Sequence, residues 1–588
     1  MKYLKNLGFS ALALLIFVLG IEGLLYLVQI KPSDAGQDPL VGFAPGSKLF
    51  VEGVSAQGKP VFKTAPVKLQ FFNYQEFQAK KESGTFRVFT LGGSTTYGHP
   101  YTDSLSYSRW LREYLPLTQG YTSFEVINAG GISYASYREY QLMREIAQYS
   151  PDLIIVYTGH NEFLEERTYK NIKSIHPVLL QLREMLDGTR WWALMEKILL
   201  PQSSPASQLA GEVDTRLEHS IGPKDYQRDP EWRKGVIEHF TQTLKRMAAL
   251  AQKHNFKIIF LTPPANLKDC EPFKSLYTSE SEQTPFSPKK QLDSLYTLIS
   301  NNLQSSAHLL PNSDEWLSLS NAIDSVLNLE KQHAGWWYLS GKRYYLKGQV
   351  DSARSHFQRA LQEDICPLRA LNDFTKAIKS LPTNSSIMIY DWQQELDSIN
   401  RQLYNQTVLG DELFLDHVHL TGAGHALLAS RLVEFMDRHQ VLKLGTRWNA
   451  DSLLQAYKTF TAKLDPKTQG NALHMIAKLY NWAGKFHDAA RLGHRGLLLD
   501  STSLEAVSSS LIVGADLHRQ GKKAEALQHY ARAIKLDSNN FEARQFAALA
   551  YLDEGNQKLA APLVQWILLR DPENAYWQEQ GVKLGLKH

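Results

Sequence analysis

Two short segments of this 588-residue sequence carry side chains that suit a nucleophilic site. The first, Gly92-Gly93-Ser94-Thr95, follows an apolar run that ends at Leu91. Because glycine has no Cβ, a strand can turn sharply there and leave the next hydroxyl exposed. The second segment is Asp416-His417-Val418-His419. A serine becomes a nucleophile when an imidazole accepts its proton and a carboxylate fixes the tautomer of that imidazole. Together the two segments supply all three groups.

The elements that would position these segments alternate between strand and helix patterns. Five short apolar runs are separated by helix-like stretches such as 134–148 and 231–254. The runs are Phe86–Leu91, Phe124–Asn128, Leu153–Tyr157, Lys257–Leu261 and Ser386–Tyr390. This alternation predicts an α/β fold with a parallel sheet that is covered on both faces.

Chemically distinctive residues come directly after the predicted strands. The loops that follow four of the runs contain Ser94, Asn128-Ala129-Gly130-Gly131, Gly159-His160-Asn161-Glu162 and Thr262-Pro263-Pro264-Ala265-Asn266. In open α/β sheets, ligands bind at the carboxyl ends of the strands. We therefore expect these loops to converge on one crevice.

Four segments, taken in order, resemble the motif blocks of the SGNH (GDSL-like) hydrolases over roughly residues 84–435. They are Gly92–Thr95, Val126–Gly131, Tyr157–Glu162 and Asp416–His419. Two departures stand out, because Gly93 and Glu162 replace the usual aspartates of the first and third blocks. The resemblance implies a flavodoxin-like parallel sheet with a helical insertion and a serine esterase or acyltransferase that needs no cofactor.

The resemblance also implies a role for each group of the proposed triad. Ser94 would attack an acyl carbonyl, His419 would take the proton and later return it, and Asp416 would orient His419. The spacing has a physical reason, since a carboxylate three residues before an imidazole, on a turn, can reach Nδ1 and leave Nε2 facing the serine.

An oxyanion hole would complete such a site. The resemblance assigns it the backbone N–H of Ser94, the side-chain amide of Asn161 and one further backbone N–H. Two residues of the second block compete for that last role. Ser133 aligns with the glycine of the family, whereas Gly131 lies earlier in the loop.

Two more residues are candidates for contact with substrate. His160 is close enough in sequence to Asn161 to line the cleft. Arg369, in the segment Cys366–Ala370, could clamp a carboxylate or phosphate with two hydrogen bonds, and the alternative is a solvated arginine on a helix. No metal site is expected, because no His, Cys or Asp set outside the Asp416 segment has ligand spacing.

From about residue 440 the sequence is wholly helical in pattern and repetitive. Gly484, Gly521 and Gly555 are each followed five residues later by alanine, and the last two units are 34 residues apart. This pattern resembles tetratricopeptide repeats, an all-α solenoid that would recruit a protein partner over residues 440–588. A fourth unit, 334–367, lies within an insertion spanning 276–385, unless the match is accidental. Because a lone repeat cannot stack on itself, we expect it to pack on the catalytic domain.

The first 83 residues divide into three expected segments. Residues 1–6 would be a cytoplasmic tail, 7–30 a transmembrane anchor and 31–83 a tether and lead-in. Lys2 and Lys5 favour a cytoplasmic N-terminus, which predicts a single-pass membrane protein with extracytoplasmic catalytic and repeat domains. A cleaved signal peptide is the alternative.

Composition limits the partners and raises one question about cysteine. A net charge of +4 over 64 basic and 60 acidic residues gives no concentrated basic face, so nucleic acid is not an expected partner. Export would place Cys270 and Cys366 in an oxidising compartment, where a disulfide would close a loop of nearly a hundred residues. Two buried thiols are the alternative.

These observations predict a membrane-anchored serine hydrolase or O-acyltransferase. It would act on ester-linked acyl groups of a carbohydrate, lipid or cell-envelope polymer. Hydrolysis and transfer share the same acyl-enzyme, so both stay open. An alternative of another class is an envelope scaffold whose hydrolase-like domain only binds a ligand.

Overall fold

The computed structural model describes residues 20–27, 48–164, 190, 226–277, 288–304, 313–405, 408–482 and 484–586. Three short strands come first: β1 (Phe50–Val54), β2 (Pro60–Thr64) and β3 (Glu76–Gln78). They form an antiparallel sheet in the order β1-β2-β3. Phe77 packs on Phe50 and on Phe89, with ring centroids 5.1 and 5.5 Å apart. Residues 48–83 are therefore folded onto the α/β domain, and the tether expected over 31–83 is wrong for this part of it.

A five-stranded parallel sheet forms the centre of the α/β domain. Its strands are β4 (Thr85–Gly92), β6 (Ser123–Gly130), β7 (Leu153–Tyr157), β8 (Lys257–Leu261) and β9 (Ile387–Tyr390). Their order is β6-β4-β7-β8-β9, and each neighbouring pair is parallel. A short strand, β5 (Thr118–Gln119), pairs instead with β10 (Lys443–Leu444). β4 is the first strand of this sheet along the chain, and it lies between β6 and β7. The sheet is therefore doubly wound, and the predicted flavodoxin-like α/β class is confirmed.

Helices cover both faces of this sheet. The helices of this domain are α1 (Ser94–Tyr97), α2 (Tyr107–Tyr114), α3 (Ser136–Ile146), α4 (Pro230–His254), α5 (Pro288–Gln304), α6 (Asp314–Leu329), α7 (Ala334–Leu346), α8 (Val350–Glu363), α9 (Asn372–Lys379), α10 (Trp392–Tyr404) and α11 (Gly422–Arg438). Of these, α5 and α6 pack with α7 in a separate core cluster. Side chains of a strand alternate between faces, and in β4 Val88 and Phe89 enter two different core clusters. All eight residues of β4 are buried, as expected for a strand between two helical layers.

The C-terminal region is made of helices. They are α12 (Ala450–Thr461), α13 (Pro466–Trp482), α14 (Phe486–Leu499), α15 (Glu505–Arg519), α16 (Lys523–Leu536), α17 (Phe541–Asp553), α18 (Gln557–Leu568) and α19 (Ala575–Lys583). In the α15–α16 hairpin, Gly514 packs so closely that a Cβ there would lie 2.6 Å from the Tyr530 ring. Small residues at such positions let paired helices approach and stack, which is the construction of a helical solenoid.

The embedded unit has the same internal contact. In the α7–α8 hairpin a Cβ on Gly341 would lie 2.6 Å from the Phe357 ring, and Phe357 again follows its glycine by sixteen residues. Phe357 belongs to the core cluster that contains Ile258 and Phe260 of β8. The hairpin therefore packs on the sheet rather than on another repeat.

The predicted membrane anchor is not supported. Among the described residues, no helix is both long and apolar enough to cross a bilayer. Of the span predicted over 7–30, the structure describes only residues 20–27, which are helical, and the rest lies outside the described residues. The single-pass localisation is corrected accordingly.

Candidate active site

Ser94 begins α1 at the point where β4 ends. Gly92 closes the strand and Gly93 caps the short helix. A Cβ on Gly92 would overlap the Thr96 hydroxyl, and a Cβ on Gly93 would overlap the side-chain nitrogen of Asn161. Glycine at both positions therefore lets the serine turn pack directly against the third motif block.

Ser94, His419 and Asp416 lie in one hydrogen-bonded chain. The Ser94 Oγ is 2.8 Å from Nε2 of His419, and Nδ1 of His419 is 2.6 Å from Oδ2 of Asp416. The other carboxylate oxygen accepts the backbone N–H groups of Val418 and His419 at 2.9 and 2.8 Å. Because the carboxylate accepts from Nδ1–H, Nε2 is left to accept the serine proton.

The electrostatics of Asp416 keep it ionised. Burial alone opposes the charged form, but the interaction with His419 and the hydrogen bonds from its ring and its backbone N–H outweigh it. The pKa of Asp416 is therefore held well below its usual range. A negative charge at this position can orient the His419 ring through Nδ1.

Four other histidines surround this chain, and three of them, His160, His417 and His425, are buried. The rings of His99 and His417 are 4.8 and 5.8 Å from that of His419. Burial lowers the pKa of His417 to about 4 and the pKa values of His99, His160 and His425 to about 3, with nearby histidine charges adding to the effect. All four are neutral at pH 7, which leaves His419 as the ring that bridges the hydroxyl and the carboxylate.

Three donors predicted for the oxyanion hole have protons available. Asn161 uses one amide hydrogen on the carbonyl of Tyr134, at 2.9 Å, and its second binds no acceptor in the part of the chain that the structure describes. Among the described residues, the backbone N–H groups of Ser94 and Ser133 donate no hydrogen bond. Ser133 has φ of +62°, in the left-handed region.

Gly131 does not fit the same role. Its N–H donates to the carbonyl of Gly92 at 3.0 Å, as a continuation of the strand pairing. An N–H that donates to a carbonyl is not available to bind an oxyanion. Of the two candidates in the second block, the structure therefore favours Ser133 and contradicts Gly131.

His160 does not line an open cleft. Its side chain is buried, and Nδ1 accepts the backbone N–H of Ala370 at 3.1 Å. It lies within electrostatic range of His417 and His419 but inside the protein. The expected substrate contact is corrected to a structural role, because Nδ1 binds the backbone of the Ala370 segment.

Arg369 is neither a substrate clamp nor a solvated arginine. It is 2 % exposed, and Nη1 donates to the carbonyls of Asn266 and Cys270 at 2.9 and 2.8 Å. Its other terminal nitrogen lies 3.6 Å from the Asp364 carboxylate. Both interpretations are wrong for one reason: carbonyls and a carboxylate from other segments bind the terminal nitrogens of the guanidinium inside the protein.

Cys270 and Cys366 are buried thiols, and the disulfide is wrong. Both belong to a small core cluster that includes Phe273. The hydroxyl of Tyr480 donates to Cys270 Sγ at 3.8 Å, and burial raises the pKa of the Cys270 thiol to about 11. A thiol that stays protonated behaves as a small apolar side chain.

Sequence reasoning did not foresee the role of Asn128. Its Nδ2 donates to the Thr96 carbonyl at 3.0 Å and to Asp103 at 2.8 Å, and its Oδ1 accepts the N–H of Gly130 at 2.9 Å. Asn128 thus joins the second block to the serine turn. Its position at the carboxyl end of β6 was the available signal.

Asn266 was also missed, although the loop after β8 was singled out. Its Nδ2 donates to the Asp411 carboxylate at 2.9 Å and to the Asp416 carbonyl at 3.1 Å. It therefore supports the loop that carries the Asp416 carboxylate. An amide at the end of a strand that borders the site was the signal here.

Comparison with solved structures gives low overall similarity. An acetyl xylan esterase, AlAXEase, shares 12% identity at a TM-score of 0.26, over 60% of this chain and 99% of its own. PilF of Pseudomonas aeruginosa shares 12% at 0.19, over 50% and 98%. YrrB, a tetratricopeptide-repeat protein, shares 13% at 0.17, over 50% and 97%. No curated protein matches the chain.

The comparison with family models covers more than half of the chain. The model described as GDSL-like Lipase/Acylhydrolase matches residues 88–432. That span begins in β4, just before the serine turn, and ends in α11, just after the Asp416 loop. The chain belongs to the GDSL-like lipase/acylhydrolase family.

Proposed function

We propose that this protein is a serine esterase that uses Ser94 as nucleophile and His419 as general base. The carboxylate of Asp416 orients the His419 ring. The observation that carries the proposal is the hydrogen-bonded chain from the Ser94 Oγ through His419 to Asp416, with links of 2.8 and 2.6 Å. Ser94 and His419 are 325 positions apart in the sequence, so local sequence cannot account for their contact.

The reaction follows from the positions of these groups. The Ser94 Oγ attacks the ester carbonyl carbon while its proton moves to Nε2 of His419. The oxyanion is held by the N–H groups of Ser94 and Ser133 and the amide of Asn161. Collapse breaks the bond to the alcohol, which leaves with the proton from His419. Water, or the hydroxyl of an acceptor, then attacks the acyl-serine by the same route and releases Ser94.

We further propose that the substrate is an acyl ester of a carbohydrate or lipid alcohol. We also propose that the C-terminal repeats bind a protein partner. The support for the first part is the nucleophile, which suits ester carbonyls. The support for the second is the solenoid construction of the C-terminal helices.

The experiment compares hydrolysis of 4-nitrophenyl acetate by the wild type, Ser94→Ala and Ser104→Ala. Removal of the nucleophile is expected to lower kcat on the order of 10⁴-fold or more. Ser104, which bonds the Tyr101 carbonyl outside the triad, is the matched control and should leave kcat unchanged. Equal turnover by wild type and Ser94→Ala would refute the assignment.

A further inference from the structure

Glu162 is a buried carboxylate directly after Asn161. It is fully buried, and both of its oxygens bind one residue. Oε1 accepts the backbone N–H of Ser136 at 3.0 Å, and Oε2 accepts the Ser136 hydroxyl at 2.8 Å. The Thr158 hydroxyl lies 3.4 Å from Oε1. Because Ser136 begins α3, the carboxylate also lies where a helix favours negative charge.

The segment between Gly131 and Ser136 carries Ser133, the proposed oxyanion donor. Its backbone is held from several sides: Arg138 donates to the Ser133 carbonyl at 2.7 Å, and Asn161 donates to the Tyr134 carbonyl at 2.9 Å. Arg138 also lies over the Tyr134 ring, 4.1 Å from its centroid. Glu162 adds the anchor at the end of the segment.

These anchors matter because Ser133 adopts a left-handed backbone conformation, with φ of +62°. That conformation costs a residue with a Cβ about 1–2 kcal/mol, and it persists only where the surrounding structure enforces it. When an anchor is removed, relaxation of this turn rotates the peptide plane that bears the Ser133 N–H.

We propose that Glu162 is a positioning residue that fixes the Ser133 N–H relative to the Asn161 amide, so that both donors reach one oxyanion. The inference rests on the proposed function. Asn161 and Glu162 are adjacent, so the loop after β7 supplies one donor directly and sets the other through Ser136. Glutamate in place of the family's aspartate has one more methylene, and it reaches both the N–H and the hydroxyl of Ser136 here.

Glu145 provides a matched control, and it lies on α3, the helix whose first residue Glu162 binds. It is also buried, and its carboxylate accepts the N–H groups of Leu49 and Phe50 at 2.8 and 3.0 Å and the Tyr149 hydroxyl at 2.8 Å. Like Glu162, it anchors a segment distant in sequence. Unlike Glu162, it anchors the segment that leads into β1, away from the serine turn.

The test measures kcat and KM on 4-nitrophenyl acetate, normalised to folded protein, for Glu162→Gln and Glu145→Gln. Glutamine keeps the size of the side chain but replaces one acceptor oxygen with a donor. We expect Glu162→Gln to lower kcat about 10- to 100-fold with KM within about twofold, because a misplaced donor costs on the order of a hundredfold. Glu145→Gln should lower the melting temperature and leave kcat unchanged.

Ser136→Ala is the second variant, for use where Glu162→Gln does not fold. It removes only the hydroxyl donor to Oε2 and should lower kcat severalfold without a change in KM. Equal loss of kcat in the Glu162 and Glu145 variants, or unchanged kcat in a folded Glu162→Gln, would overturn the inference while the esterase stands. A wild type without esterase activity would overturn the proposed function and this inference together.

Discussion

Two helical hairpins of the C-terminal region have similar construction but different surroundings. The docked hairpin, α13–α14, shares one core cluster with the hydrolase domain, in which Ile476 and Tyr480 join Leu413 and Leu415. The outer hairpin, α17–α18, has a small cluster of its own with Trp577 of α19. Other residues of α17 join a core cluster of α15 and α16. The comparison shows that one repeat architecture serves both as a wall of the catalytic domain and as an extension that packs on neighbouring repeats.

The docked hairpin is also tied to the site by polar contacts. Lys485 donates to the Pro272 carbonyl at 2.8 Å and lies 3.2 Å from the Glu271 carboxylate. Arg491 pairs with Asp411, whose other oxygen accepts from Asn266. Because Asn266 also bonds the Asp416 carbonyl, these contacts connect α14 with the loop that carries Asp416.

The largest effect is expected from truncation. A chain that ends at Leu444 loses α12–α19 and exposes the face where Trp110 stacks on Tyr457 at 5.3 Å. A chain that ends at Asp537 loses only α17–α19 and keeps the docked hairpin. We expect the first to be insoluble or inactive and the second to keep kcat/KM within about twofold, because loss of a shared core removes much of the stabilising burial. Full activity in a chain that ends at Leu444 would contradict the docked role.

A smaller effect is expected from single tyrosines in the two settings. Tyr480 and Tyr530 are both buried, the first in the docked hairpin and the second in α16. Large-to-small substitution at either should cost about 3–5 kcal/mol of local stability. Tyr480→Ala should also lower esterase turnover, since the ring lies 6.5 Å from that of His417, whereas Tyr530→Ala should not. Hydrogen exchange measures the local stability, and ester hydrolysis measures the turnover. Equal effects of the two substitutions on turnover would contradict a special role for the docked hairpin.

The smallest effect is expected from a lower pH, which reduces the stability of the folded state through His425. His425 is fully buried, neither ring nitrogen has a hydrogen-bond partner among the described residues, and its pKa is lowered to about 3. A folded state that holds the ring neutral binds fewer protons than the unfolded chain between pH 3 and 6.5, so stability is present above pH 6.5 and falls as pH drops below it.

Replacement of His425 tests whether the hydrolase domain is the acid-sensitive part of the molecule. His425→Met should reduce the slope of the unfolding free energy against pH, between about 4 and 6, by about 1.4 kcal/mol per pH unit. Denaturant titrations at several pH values measure that slope. An unchanged slope would show that the hydrolase core is not the acid-sensitive region.

Much of the fold could be predicted because its signals are local. The run Leu153–Tyr157 is β7 without change, and Phe86–Leu91 lies within β4. Buried parallel strands are short apolar runs, and turn glycines mark their ends. The strands β1–β3 were missed because five-residue and three-residue strands flanked by polar residues carry little pattern.

The roles that failed depend on distant partners. Nη1 of Arg369 donates to the carbonyls of Asn266 and Cys270, about a hundred positions away, and no local pattern predicts that. The same holds for the docked hairpin, since helical periodicity predicts a hairpin but not the surface it covers. Gly131 failed because strand pairing with Gly92 extends one residue beyond the β-strand itself.

The central claim is that Ser94 is made nucleophilic by His419. The most direct measurement is the reaction of the folded protein with a fluorophosphonate, followed by mass mapping of the labelled peptide. The account predicts one label per chain, on Ser94, and its loss in a folded His419→Ala variant. A label on another serine, or no label on the folded wild type, would contradict it.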